Sequence, residues 1–244
     1  MYRKVKMVAT LTILMIVSIF FTNISQAQEI ASDVRESGAM GYSMFGRSII
    51  DIKDLNAKLE SKGYSEIPDN FFSVGGGGHG IINNRFIIGG EGHSLLGEKA
   101  TSGNYTGSIY VIYGFFDLGY VIYSINDFRV YPLLGIGGGV MNLKITERLT
   151  SLSIDDVLDN PLRGVEISTG GLLLDLALGM DYLLKFGGDE KGRGGMILGL
   201  RAGYTISPFK GSWKMDEIEI SGAPEIGITG PYIRLMFGGG AIGK

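Results

Sequence analysis

Residues 166–186 read EISTGGLLLDLALGMDYLLKF. Read two at a time, the stretch separates into two faces. Asp175, Asp181 and Lys185 share one parity, and Leu172, Leu174, Leu176, Leu178, Met180, Tyr182, Leu184 and Phe186 share the other. A period of two is that of a β-strand, whose successive side chains point to opposite sides. A strand of a soluble protein hides its greasy face and shows water a face dense in Lys, Glu and Asp. Here the polar face is sparse in charge and rich in small residues, while the greasy face is continuous. The next apolar stretch, 194–207, repeats the pattern. Arg201 stands with Gly195, Gly199, Gly203 and Thr205, against Met196, Leu198, Leu200, Ala202, Tyr204 and Ile206. A few ions inside and lipid outside fit both stretches.

Working outward, eight apolar segments recur, at about 38–49, 71–82, 85–96, 105–124, 128–145, 166–186, 194–207 and 232–242. They hold only 12 of the 47 charged residues, so most of the remaining charge belongs to the connections. Asn83-Asn84 and Asn126-Asp127 suit two-residue hairpin turns, and 187–193 suits a modest polar one. The other connections, 50–70, 97–104, 146–165 and 208–231, are mostly longer. Short turns at one end and long loops at the other predict an eight-stranded antiparallel transmembrane β-barrel, its turns periplasmic and its loops outside. One short helix is expected in the first long loop. Asp51 is placed to cap it, Ile52, Leu55 and Leu59 share a face, and Gly63 sits at its C-terminal end.

The hairpin turns predict register. With Asn126-Asp127 as the turn, Ile125 faces Phe128 and Asp117 faces Ile136. Asn142 and Lys144 then join the face of Asp117, and Leu133 and Leu143 the opposite one. With Asn83-Asn84 as the turn, Gly78 faces Gly89, Gly77 faces Gly90 and Gly75 faces Gly92. On this reading the lumen face carries a structural ion network of Arg47, Arg85, Glu91, His93, Asp117, Lys144, Asp175, Asp181, Lys185, Arg201 and Arg234. Ions in a narrow barrel should pair, and Arg201 and Arg234 are expected to meet Asp117, Asp175 or Asp181. Arg129 and Glu166 are left over at strand ends.

The chain as a whole excludes several classes. MYRKVKMVATLTILMIVSIFFTNISQA has the anatomy of a secretory signal peptide. Arg3, Lys4 and Lys6 lead an apolar run from Met7 to Phe21, and Ser25-Gln26-Ala27 forms a small-x-small cleavage site. The expected division is a signal peptide at 1–27 and a single domain at 28–244. A membrane-anchoring helix is the alternative for the leader, although its run is short for a span. No later stretch is apolar for long enough to cross as a helix. The 244 residues contain no cysteine and two histidines, which excludes disulfides, cysteine nucleophiles and H-E-x-x-H zinc sites. A net charge of −3 with no basic stripe excludes a nucleic-acid surface.

At this point TGSIYVIYGFFDLGYVIYS (106–124), LLLDLALGMDYLLKF (172–186) and GPYIRLMFGGG (230–240) carry a resemblance. The chain resembles the small bacterial outer-membrane β-barrels of the OmpA transmembrane-like and OmpX-like class. The resemblance implies an outer-membrane location, contact with its lipid and lipopolysaccharide, and insertion by the barrel-assembly machinery. Such proteins usually finish on an aromatic residue, whereas here Phe237 is followed by GGGAIGK.

Two motifs tempt a chemical reading. Gly75, Gly77 and Gly80 fit G-x-G-x-x-G, but Ile81-Ile82-Asn83-Asn84 follows instead of the helix that a phosphate loop opens. The glycines are read instead as room for large side chains such as Tyr113, Phe115 or Arg201, or as a groove for a lipid chain, the 51–62 helix or a partner. Glu91 or Glu98 with His93 and Ser94 evokes the lipid A-modifying barrels, but His93 and Ser94 fall on opposite faces of one strand. Asp155, Asp156 and Asp159 lack EF-hand spacing and read as a solvated loop. No catalytic, cofactor or metal residue is therefore expected. A structural or surface-interaction role through the loops follows, with Lys210, Trp213 and Lys214 as the candidate contact. A narrow pore, a soluble lipocalin-like barrel and a lipid A-modifying enzyme remain as alternatives.

Overall fold

In the computed structural model, the structure describes residues 37–148, 153–159, 164–189 and 192–243. The leader, its cleavage site and parts of two connections lie outside the described residues. Twelve strands form one antiparallel sheet: β1 (Ser37–Ile49), β2 (Asn70–Ile82), β3 (Phe86–Leu96), β4 (Ala100–Ser102), β5 (Tyr105–Tyr120), β6 (Tyr123–Ile125), β7 (Phe128–Glu147), β8 (Gly164–Asp189), β9 (Gly192–Ile206), β10 (Lys214–Met215), β11 (Ile218–Glu219) and β12 (Gly230–Gly243). Eight are long and four are two- or three-residue pieces. The long strands pair in the order β1–β2–β3–β5–β7–β8–β9–β12, and β12 also pairs with β1, from Ser37↔Gly243 to Ser48↔Tyr232. Among the described residues no helix is long and apolar enough to cross a membrane.

The first connection holds helix α1 (Lys53–Glu60), with Leu55 and Leu59 buried. Its start differs from expectation by one residue. Ile52 occupies the cap position without a side-chain cap, while Asp51 accepts from the Lys53 amide at 3.4 Å. The C-terminal end closes as a Schellman turn on Gly63, whose φ of +82° suits glycine. The Gly63 amide bonds Glu60 O, and the Tyr64 amide bonds Leu59 O. A second helix, α2 (Ile154–Asp159), adds to the single one expected. Its signal is the capping box Ser153-x-x-Asp156, in which each residue's side chain bonds the other's backbone amide.

One face of the sheet is buried and the other exposed, and within most strands the alternation follows the sequence. Between strands the register departs from it twice. Ile82 pairs with Phe86, so the β2–β3 loop has three residues and Arg85 is in the turn. Gly78 therefore faces Gly90, Gly77 faces Glu91 and Gly75 faces His93. Ile125 does face Phe128, but pairing breaks at Val121-Ile122, and Asp117 faces Gly135 instead of Ile136. A one-residue slip moves every side chain to the other face. In β7, Arg129, Leu133 and Leu143 are accordingly buried and Lys144 is exposed, the reverse of the turn-based expectation.

The buried face carries two apolar clusters. Near the short turns lie Met40, Met44, Ile81, Ile87, Tyr131, Leu183, Ile197 and Met236. Near the long loops, Phe71, Ile109, Val111 and Met141 of the strands meet Leu55 and Leu59 of α1, Ile67, Trp213, Ile226 and Ile228. The loops thus send apolar side chains down onto the strand ends. Asn56 fixes the first of them by bonding both backbone groups of Ile67, at 2.9 and 3.0 Å.

The glycine run now has a mechanical reading. Odd-numbered β2 residues lie on the buried face, and a Cβ on Gly77 would stand 2.3 Å from Gly90 O and 2.8 Å from the Glu91 Cβ. Even-numbered Gly80 faces out, with nothing nearer than 3.7 Å. Gly77→Ala should lower stability by about 1–3 kcal/mol, as overpacking does. Gly80→Ala should change it by about 0.5 kcal/mol or less. Urea titrations in liposomes, read by the gel mobility difference between folded and boiled protein, check both.

Candidate functional site

The densest chemistry on the buried face is a polar cluster between the two apolar ones. Glu91 is supplied by β3, Arg201 by β9 and Arg234 by β12. Arg201 and Arg234 are direct neighbours in the β9–β12 ladder, so two guanidiniums stand side by side. Glu91 lies where both can reach. Arg201 Nη1 donates to Glu91 Oε2, and Arg234 Nη1 is 3.6 Å from Oε1. His93 Nε2 lies 3.1 Å from the same Oε1 and 3.2 Å from Arg234 Nη1. The carboxylate thus offsets the mutual repulsion of the arginines through charge-assisted contacts.

Other donors of each guanidinium are held by strand side chains, and Arg201 Nε has no hydrogen-bond partner among the described residues. Arg234 donates through Nε to Ser73 Oγ at 3.2 Å and through Nη2 to the Tyr113 hydroxyl, and its plane lies 3.6 Å from the centre of the Tyr232 ring. Arg201 donates to the Tyr42 hydroxyl at 3.3 Å, and His79 Nδ1 is 3.2 Å from that oxygen. Asp175 accepts from Tyr232 at 2.7 Å and from Thr205 at 3.1 Å. Toward the turns, Arg129 meets Asp181 through Nε at 2.9 Å and Nη2 at 2.7 Å.

Of the eleven residues expected to share this face, Glu91, His93, Asp117, Asp175, Asp181, Arg201 and Arg234 are buried on it. Four are elsewhere. Arg47 is exposed on the opposite face, its guanidinium 5.9 Å from the Phe72 ring centre. As the only charge of its strand it offers no second charge against which to set its parity, and near the loop end water is close enough to tolerate it. Arg85 is displaced into the turn and Lys144 is turned outward by the slips described above. Lys185, at the turn end, pairs with Asp127 at 2.6 Å, partly open to solvent.

Pairing also differs from expectation. Arg201 and Arg234 meet Glu91 rather than an aspartate, because Asp175 is taken by neutral hydroxyls and Asp181 by Arg129. Asp117 forms no hydrogen bond or ion pair among the described residues. Arg129 is the participant that the sequence reading leaves at a strand end. Its parity with Leu133 is the available signal, masked by the register that the turn implies. Ser73 and His79 are legible, since they share parity with Phe71 and Ile81.

The loop contact is corrected outright. Trp213 is 2% exposed, packed in the loop-end cluster, with Nε1 donating to Pro224 O at 2.9 Å. Lys210 is engaged with Glu225 O at 2.8 Å, and only Lys214 remains a plainly outward cation. His93 is buried while Ser94 lies on the opposite face, accepting from the Tyr110 hydroxyl at 3.3 Å. Asp156 is spent on its helix cap, and among the described residues no group of three or more His, Cys, Asp or Glu could hold a metal.

No protein-family model and no curated protein matches the chain. Solved structures similar to it are small outer-membrane β-barrel proteins. The attachment invasion locus protein Ail of Yersinia pestis shares 15% identity over 85% of this chain and 98% of its own, with a TM-score of 0.41. Neisserial surface protein A shares 10% over 85% and 96%, at 0.36. OprG from Pseudomonas aeruginosa shares 13% over 86% and 96%, at 0.35. Likeness at this level carries no argument about activity.

Removing the Glu91 charge should leave two buried guanidiniums facing each other. Glu91→Gln is expected to cost about 3–5 kcal/mol, the range for breaking a buried ion pair. Asp117→Asn removes a buried charge without a partner and should cost about 0.5 kcal/mol or less, or stabilise. Urea unfolding of the two variants, side by side in liposomes, separates them.

Proposed function

We propose that this chain is an integral outer-membrane barrel of eight strands, filled inside, whose role is to hold its loops at the surface as a contact platform. The observation that carries the reading is the inversion of polarity. The ions are on the buried face, and the exposed face reads Ile88, Phe116, Leu118, Leu134, Ile136, Leu176, Leu178, Leu198, Leu235 and Phe237. A lipocalin-like barrel would bury these residues. The β1–β12 pairing supports closure, since it leaves neither terminal long strand with a free edge.

The exposed aromatics support a bilayer. Phe86, Tyr123, Tyr182 and Phe186 ring the turn end, while Phe72, Tyr110, Tyr204 and Phe209 stand toward the loops. Between Phe86 and Leu96 a strand rising ~3.4 Å per residue at a tilt of ~40° climbs ~25 Å, the height of an outer-membrane apolar band. Lipid contact and insertion by the barrel-assembly machinery belong to this reading.

The filled interior favours a scaffold over a pore. Apolar plugs lie at both levels of the buried face, and the ion cluster spans the gap between them. Eight strands enclose a space that side chains can fill, whereas open channels need ~16. The purified protein should shift mobility on heating and remain silent in planar bilayers. Stable single-channel steps would overturn the scaffold reading, and recovery as a soluble periplasmic protein would overturn the membrane one.

A further inference from the structure

The loop end has two properties that neither the sheet nor the membrane uses. The first is charge. Among the described residues, 50–69, 97–104, 148, 153–159 and 207–229 carry thirteen Asp and Glu against seven Lys and Arg, so this surface draws cationic partners and repels anionic ones. Lys210, one of the seven, is already bonded to Glu225 O.

The second is uncovered apolar surface beyond the strand ends, where lipid does not reach. Ile154 and Leu158 of α2 are 71% and 69% exposed, and their spacing of four places them on one face of the helix. Asp155 and Asp159 flank them, and Ser153 with Asp156 fixes the first turn. The β10–β11 hairpin is held at the same end of the sheet, because Lys214 pairs with Ser168 near the start of β8, the next strand after α2 in the chain. It adds Ile218, 71% exposed, between Glu217 and Glu219. Apolar side chains set among carboxylates therefore recur on two elements of the loop end.

Building on the reading of the loops as a contact platform, we propose that α2 and the β10–β11 hairpin form a docking surface for a cationic amphipathic polypeptide segment, rich in Lys or Arg along one side and apolar along the other. The carboxylates select the sign of the partner. Ile154, Leu158 and Ile218 select an apolar stripe rather than mere positive charge. The phosphates of a glycolipid or the sulfates of a polysaccharide meet the wrong charge here.

The test uses the full mature chain in nanodiscs of zwitterionic lipid, with empty nanodiscs subtracted, and reads binding by interferometry. The probes are a Leu/Lys amphipathic peptide of roughly 18 residues, about five helical turns, polylysine of equal charge, and heparin. The Leu/Lys peptide should bind at least about ten-fold more tightly than polylysine, and weaken between about 50 and about 500 mM NaCl. Ile154→Ser with Leu158→Ser should lower its affinity about ten-fold at unchanged charge, and Asp155→Asn with Asp159→Asn should lower it and flatten the salt dependence. Heat-modified mobility reports that each variant is folded, and Ile218→Ser repeats the apolar arm on the second element. Equal binding of polylysine, wild-type affinity in both apolar variants, or preference for heparin would each overturn the proposal. Channel steps in the bilayer experiment would remove the scaffold reading without touching this result. A silent barrel that ignores the peptide would remove only the docking surface.

Discussion

Two guanidiniums on one carboxylate, in a space closed to water, constrain the rest of this structure. Arg201 and Arg234 are ladder neighbours and would repel one another if Glu91 were not between them. An ion left unpaired in such a space costs several kcal/mol, and several neighbouring side chains are committed to satisfying these three. Ser73, Tyr42, Tyr113 and Tyr232 spend their hydroxyls or rings on the arginines. Because those groups are large, the positions beside them must be small. Gly75 lies against the His93 ring, Gly77 against Glu91 and Gly203 against the Tyr232 hydroxyl. The glycine content and the ion cluster are two sides of one packing problem.

The same arrangement explains how a chain with so much apolar surface avoids a conventional core. The greasy side of the long strands is the exposed one, and on the proposed reading a bilayer takes the place of a packed partner. Apolar packing inside is confined to two plugs, and nearly half of the loop-end plug comes from residues that are not in strands. Ile52, Leu55, Leu59, Ile67, Trp213, Ile226 and Ile228 reach it from the connections. The loops are therefore anchored from beneath, which suits elements that present a surface. What they present is acidic, with the tryptophan of the cation–aromatic cluster suggested by the sequence turned inward.

Much of this is legible in the amino-acid sequence by itself. Strand alternation is a local property, so Asp175, Asp181, Leu176 and Leu198 fall on the correct faces by parity within their own strands. The bounds of the long strands, the helix after β1 and its Gly63 terminus are legible for the same reason. Ions at a single parity within apolar strands determined the polarity of the two faces, because the alternative would show water a face sparse in charge and rich in small residues. The capping box at Ser153 is equally local, a short signal inside a connection that otherwise reads as an acidic loop.

Tertiary structure decided what depends on relations between strands. One additional residue at Arg85 and one break at Val121-Ile122 shift two ladders, and turn-based parity then assigns Arg129, Leu133, Leu143 and Lys144 to the wrong side. No local pattern announces such a slip, since each strand reads the same in either register. The choice of Glu91 over the aspartates was likewise a matter of reach across three strands, after Tyr232, Thr205 and Arg129 had engaged the alternatives. Trp213 went inward because the folded loop offered its ring a plug and its indole nitrogen the Pro224 carbonyl. A sequence shows what each residue prefers, but the partners available to it are set only when distant segments meet.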